Sequence, residues 1–207
     1  MTMNKQMIAA AVLGLAVAAP AFAQSAHSAN SGNTGPWQVR VRAVHLNSDN
    51  GDNTGLGLSI NNKTIPEVDI SYFFTPNIAT ELVLTIPQKH DLRSNGATIG
   101  TLRHLPPTLT AQYHFNPTGS VRPYVGAGIN YTRFSSVHLP AGVDIRRNSF
   151  GAALQAGVDI PLPYKNLVLN FDIKKVWLGT DVKLADAKIG KFDVDPVLFG
   201  VGLGWRF

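Results

Sequence analysis

Ten ionisable side chains sit at alternating positions in stretches that otherwise read as apolar: Arg40, Arg42, Arg122, Lys174 and Arg206, and against them Glu67, Asp69, Glu81, Asp159 and Asp172. Five cations meet five carboxylates, a balance suited to mutual pairing rather than to proton transfer with a substrate. Each would cost on the order of several kcal/mol if buried alone, so they are expected to neutralise one another and close whatever space they share.

Other reactive constellations are missing. His27, His45, His90, His104, His114 and His138 contain no pair at helical i, i+4 spacing and no HExxH arrangement. His90 and His104 flank one loop, a thin basis for a metal. Ser71 and Ser149 have no evident His partner and no GxSxG occurs, which weighs against a serine acyl hydrolase or transferase acting on lipid. The chain has no cysteine, which removes thiol catalysis, disulfide stapling and zinc fingers. Gly126 and Gly128 fall inside a strand pattern, so they do not open a phosphate-binding helix. Neither an enzyme nor a cofactor nor a metal is expected.

Two further groups carry a different kind of chemistry. Val44, Leu46, Leu56, Leu58, Ile60, Ile65, Leu102, Leu178, Leu184 and Phe192 lie in or beside long connections where solvation alone would call for polar residues. They are expected to form an apolar mouth for a greasy ligand, or else to pack the loops together. Pro66, Pro87, Pro106 and Pro107 mark the loop-side ends of three strands, and each removes a backbone donor. Missing ladder bonds there would make a lateral window between strands.

The elements that position these groups follow from period and punctuation. Lys5, the apolar run 7–19 and Ala21-Phe22-Ala23 form a secretory signal peptide over residues 1–23, too short for a comfortable membrane anchor. Residues 24–35 are a small, polar lead-in, and residues 36–207 form the folded domain. In it Trp37, Val39, Val41 and Ala43 alternate with Gln38, Arg40 and Arg42, and seven further segments repeat the pattern, near 67–74, 78–86, 105–115, 122–131, 150–160, 167–174 and 197–207. Tight turns near 75–77, 116–120 and 161–165 alternate with long connections at 46–64, 88–104, 133–148 and 179–195, the signature of an up-and-down meander.

The chain has 207 residues, 44% hydrophobic and only 15% charged, with a formal charge of +5 and no run of five Lys or Arg. This excludes a disordered chain and gives no support to a nucleic-acid partner. An exported, all-β chain of eight antiparallel strands, with aromatics at the ends of its apolar face, is expected to be a transmembrane β-barrel with its apolar face on lipid. A soluble lipocalin-like barrel would turn that face inward. The glycines crowding the polar face argue against this, because space is short inside a narrow barrel.

The stretches Trp37-Gln38-Val39-Arg40-Val41-Arg42-Ala43, Leu105-Pro106-Pro107-Thr108-Leu109-Thr110-Ala111-Gln112-Tyr113-His114-Phe115, Arg122-Pro123-Tyr124-Val125-Gly126-Ala127-Gly128 and the ending Asp195 to Phe207 resemble the OmpW family of small outer-membrane β-barrel proteins. The resemblance implies a Gram-negative outer membrane and passage of small hydrophobic molecules. Val201, Leu203, Trp205 and Phe207 also resemble the C-terminal signal read by the outer-membrane assembly machinery. On this basis the chain is expected to be a passive channel for small hydrophobic solutes, captured in the mouth and released sideways above the charge plug. Its surroundings would be outer-membrane lipid and lipopolysaccharide, and it is expected to be monomeric because a closed barrel has no edge. The rival readings are a non-transporting receptor or structural barrel whose loops bind surface ligands, and a lipid A-modifying barrel enzyme.

Overall fold

The computed structural model describes residues 35–85, 87–139, 142–164, 166–184 and 187–207. The expected signal peptide, and all but the last residue of the lead-in, lie outside them. In chain order the strands are β1 (Trp37–Asn47), β2 (Gly51–Asp52), β3 (Leu58–Ile60), β4 (Lys63–Phe73), β5 (Ile78–Thr85), β6 (Gln88–Ser94), β7 (Ala97–Leu105) and β8 (Thr108–His114). They continue as β9 (Arg122–His138), β10 (Val143–Ile145), β11 (Asn148–Pro161), β12 (Leu167–Val176), β13 (Gly179–Leu184), β14 (Ala187–Asp193) and β15 (Val197–Arg206).

Eight of these close a ring of antiparallel pairs, β1-β4-β5-β8-β9-β11-β12-β15, and β15 returns to β1. The closing register runs from Gln38↔Arg206 to Asn47↔Val197. It is sealed at the end by Phe207 N–H donating to the Trp37 carbonyl at 2.8 Å. Side chains alternate across each strand, so a wall built from these segments places Val41, Ile129 and Leu203 outside and Arg40, Glu81 and Asn170 inside. The short turns are fixed by local chemistry. Thr75 Oγ1 accepts from the Ile78 amide at 2.9 Å, and Asn166 takes φ 60°, which a short polar side chain tolerates.

Two features depart from the sequence expectation. The long connections are not loops: β6 and β7 form a hairpin that pairs with the upper end of β9, and β3 adds to β6. A second sheet is built in the order β10-β13-β14-β2. These strands stand above the lipid-facing band, so their outer faces follow no lipid-imposed alternation, and register shifts at Leu92/Arg93 and Val182/Lys183 break the period further. The aromatics are also asymmetric. Trp37, Tyr72 and Phe74 stack edge to face, Tyr113 meets Phe115, and Trp205 meets Phe207, all at the short-turn end. The pair Tyr131–Phe150, with ring centroids 4.8 Å apart, marks the opposite end.

Candidate functional site

The inward face divides into two storeys. In the lower one the β1–β4 register sets Arg40 beside Asp69 and Arg42 beside Glu67. Arg40 Nη1 reaches Asp69 at 3.1 Å, Glu81 at 3.2 Å and donates to Ser71 Oγ at 2.8 Å, while its Nη2 reaches Asp159 at 2.9 Å. Arg42 meets Asp69 at 2.7 Å, Glu67 at 3.0 Å, Glu81 at 3.3 Å and Asp172 at 3.5 Å. Lys174 Nζ lies 3.7 Å from both Glu67 and Glu81. Every one of these side chains is buried.

Neutral groups complete the network. Gln155 Nε2 donates to Glu81 at 2.9 Å and to Asp172 at 2.8 Å, Tyr124 Oη donates to Asp172 at 2.8 Å, and Asn170 Nδ2 donates to Asp159 at 2.8 Å. These bridging residues were not foreseen as part of the plug, because an uncharged side chain on a polar face carries no sign that would single it out. Gly202 and Gly204 stand opposite Arg42 and Arg40 on β15. A Cβ at Gly204 would come within 2.9 Å of Arg40 Cγ, so the absence of a side chain there makes room for the guanidinium stem.

Arg122 and Arg206, expected in the plug, stand apart from it. Arg122 Nε donates to the Gly119 carbonyl at 3.0 Å in its own turn. Arg206 lies over the Phe73 ring at 3.8 Å and donates to the Gly35 carbonyl. Both sit at the short-turn end, half-buried, and are near enough to solvent to need no direct ion pair, as snorkelling side chains do. Between them and the network, His114 stacks on Tyr124 at a centroid distance of 5.0 Å and meets Phe73 at a tilt, 4.8 Å away.

The upper storey is apolar. Val44, Leu46, Leu58, Ile60, Ile65, Leu102, Leu178 and Phe192 are buried in one cluster, with Leu56 packed against it. Leu184 is not among them: it lies at the exposed end of β13, 47% accessible. Phe134, Ile145, Val176, Val182, Val194 and Leu198 join the cluster unforeseen. Three of these were legible in principle, because Phe134 continues the inward phase of Asn130 and Thr132, Val176 that of Asp172 and Lys174, and Leu198 that of Gly200. The side chains fill one another's space, leaving a pocket of only about 10 Å³ bounded by Ile60, Leu102, Phe134, Leu178 and Phe192.

All four prolines gather at one interruption of the wall. Among the described residues the β5–β8 ladder stops at Val83↔Thr108, and pairing resumes at Gln88↔His104 between β6 and β7. Pro87, Pro106 and Pro107 occupy the unpaired span. Pro66 follows the last β4–β5 pair, Glu67↔Thr85, while keeping register with Ala43 on its other side. On the β9 side the Pro107 carbonyl still accepts from the Tyr131 amide at 3.0 Å, and Asn130 Nδ2 donates to the Pro106 and Pro107 carbonyls at 3.3 and 3.2 Å. Val201, Leu203, Trp205 and Phe207 share the outer, exposed face.

Comparison with known proteins agrees with this architecture. An outer-membrane protein of Sinorhizobium fredii, y4mB, is 44% identical over 83% of this chain and 80% of its own. Outer membrane protein W of Escherichia coli is 33% identical over 99% of this chain and all of its own. Its solution structure matches with a TM-score of 0.64 at 32% identity, covering 84% of this chain and 98% of that one. AlkL of Ectopseudomonas oleovorans is 28% identical over 97% of this chain and 94% of its own. The structure of AlkL in lipid bilayers gives a TM-score of 0.67 at 25% identity, covering 88% and 94% of the two chains. The relatives are outer-membrane proteins, and the eight-stranded barrel with its apolar exterior is an outer-membrane barrel. The model of the OmpW family matches residues 34–207, and the chain belongs to that family.

Proposed function

We propose that the protein is a passive, non-enzymatic channel that takes up small hydrophobic molecules and delivers them sideways into the outer membrane. The observation that carries this reading is the storeyed interior: an apolar core above, a ring of ion pairs below, and a break in the wall beside their boundary. A small apolar solute gains roughly 25 cal/mol for each Å² it removes from water, so the upper storey offers it a favourable station once its side chains part. The lower storey offers none. Crossing it would mean separating buried charges from their partners, which costs on the order of several kcal/mol per charge.

The solute therefore leaves through the wall, where Pro66, Pro87, Pro106 and Pro107 have removed the ladder bonds that elsewhere hold neighbouring strands together. The ring of strands closes on itself from β15 to β1, so a single chain surrounded by outer-membrane lipid and lipopolysaccharide suffices.

The test compares initial uptake of a medium-chain alkane with that of a polar solute of similar size, in cells with and without the protein in their outer membrane. A gain of tenfold or more for the alkane alone is expected, and replacement of Pro87 and Pro106 by alanine should cut it several-fold in a barrel that still folds. Equal rates with and without the protein would leave a non-transporting surface role as the better reading.

A further inference from the structure

The wall has a second breach, three strands away from the prolines. β11 pairs with β9 along its length as far as Asn148↔Arg133, but its pairing with β12 ends at Ala153↔Val176. Beyond that point a single backbone bond continues, from Trp177 N–H to the Ala152 carbonyl at 2.9 Å. The chain then swings into β13, which pairs with β10 and β14 in the separate sheet. Between Gly151, which lies against the Trp177 carbonyl, and the bond from Arg146 N–H to the Asp181 carbonyl at 2.9 Å, residues 148–150 of β11 have no ladder partner on that side among the described residues.

A cleft of about 720 Å³ lies there, lined by Tyr131, Ser149, Phe150 and Thr180 together with the charged Arg146, Asp181 and Lys191. Ser149 and Phe150 are successive strand residues, so they point to opposite faces of the wall. Ser149 is buried at 7% accessibility, whereas Phe150 is 78% exposed on the outside. That both line one cleft means the cleft runs around the strand edge, from the outer surface into the wall.

Thr180 is one of its lining residues. This residue, 3% exposed, also lines the small pocket of the apolar core, beside Phe134, Leu178 and Phe192. It is held by one bond of its hydroxyl, Oγ1 donating to the Arg146 carbonyl at 2.7 Å. Among the lining residues of the two spaces Thr180 alone is common to both. The outer approach passes the aromatic pair Tyr131–Phe150, which suits an apolar solute. The lining cations are already engaged, Arg146 with Asp181 at 3.8 Å and Lys191 with Asp193 at 2.8 Å.

We propose that this cleft is the entrance for small apolar solutes and that Thr180 is the gate between it and the apolar core. The proposal rests on the uptake reading above and deepens it. Solutes come in beside β11, at the level where the barrel meets the cell surface, and go out at the prolines. The route between is the core itself, and no solute has to penetrate the top of the closed extension.

The chain contains no cysteine, so a single thiol can be placed at the gate. Thr180→Cys and, as control at an exposed hairpin end, Leu184→Cys are displayed in the outer membrane of intact cells. Both are treated with a benzyl methanethiosulfonate, which attaches by a disulfide, and alkane uptake is measured before treatment, after it, and after dithiothreitol. The expected result is modification of both variants, a loss of at least tenfold in uptake for Thr180→Cys alone, and recovery with the reductant, which excludes misfolding as the cause. Absence of modification at Thr180→Cys would mean that the cleft does not reach the gate, and modification without loss of uptake would mean that solutes travel elsewhere. Either overturns the proposal. If the unaltered protein shows no alkane uptake, the channel reading fails instead. The gate is then still judged by whether the apolar reagent modifies Thr180→Cys at least tenfold faster than a charged one, and equal rates overturn it.

Discussion

Glu81 is the most heavily shared carboxylate of the network, touched by Arg40, Arg42 and Lys174 and held by Gln155. Removing it takes one buried partner from three cations at once, leaving Arg40 to Asp69 and Asp159, Arg42 to Asp69, Glu67 and Asp172, and Lys174 to Glu67 and Asp172, with one positive charge uncompensated. Glu81→Ala is therefore expected to destabilise the folded barrel by about 3–5 kcal/mol, whereas Ser71→Ala, which deletes one hydrogen bond from Arg40, should cost about 1 kcal/mol. Urea unfolding in lipid vesicles, followed by Trp fluorescence, measures both, and equal midpoints for the two variants would contradict the network. Alternation alone was enough to place Arg40, Glu81 and Asp172 on one face. It could not say which of them touch, because contact depends on the register between strands. Nor could it say that Arg122 and Arg206 sit too near water to need a carboxylate.

At the scale of elements, the β6–β7 hairpin has its own vulnerability. His90 is buried within it, its Nδ1 3.2 Å from the Asn61 carbonyl, and burial pushes its pKa below the ordinary histidine value. The folded hairpin thus favours the neutral ring, while the unfolded chain takes up a proton near pH 6.5. Stability is full above that pH and declines as the pH falls from there toward the lowered folded value. Amide exchange in β6 and β7, corrected for intrinsic rates, should rise severalfold between pH 7 and 5.5 while β1 and β4 stay protected, and His90→Gln should abolish the dependence. A flat profile in the unaltered protein would remove His90 from that role. This hairpin was not legible as strand. The eight barrel strands announce themselves because lipid demands an apolar residue at every second position, and β6 and β7, standing above the lipid, answer to no such demand.

For the molecule as a whole, the decisive contact is the one between its two outermost described strands. Phe207 N–H donates to the Trp37 carbonyl and the Trp37 amide donates back to Phe207 at 3.1 Å, so the final residue locks the end of the closing ladder. Deleting Phe207 should lower the yield of heat-resistant folded barrel in the outer membrane several-fold while leaving synthesis unchanged, as judged by the mobility shift between unheated and heated samples. An unchanged yield would relieve Phe207 of any part in assembly. Closure was legible as an even number of strands and a tight-turn, long-connection rhythm; the seam's register was not, since nothing local fixes it. That seam also sets an order in time. The other seven barrel ladders join strands that follow one another around the ring in chain order, while the eighth must wait for β15, the last of the eight barrel strands in chain order. Until it arrives, β1 and the newest strand each present a row of unpaired amides and carbonyls, which hydrocarbon does not tolerate. A half-finished wall therefore has no resting place in the bilayer. Insertion and closure must be a single late event.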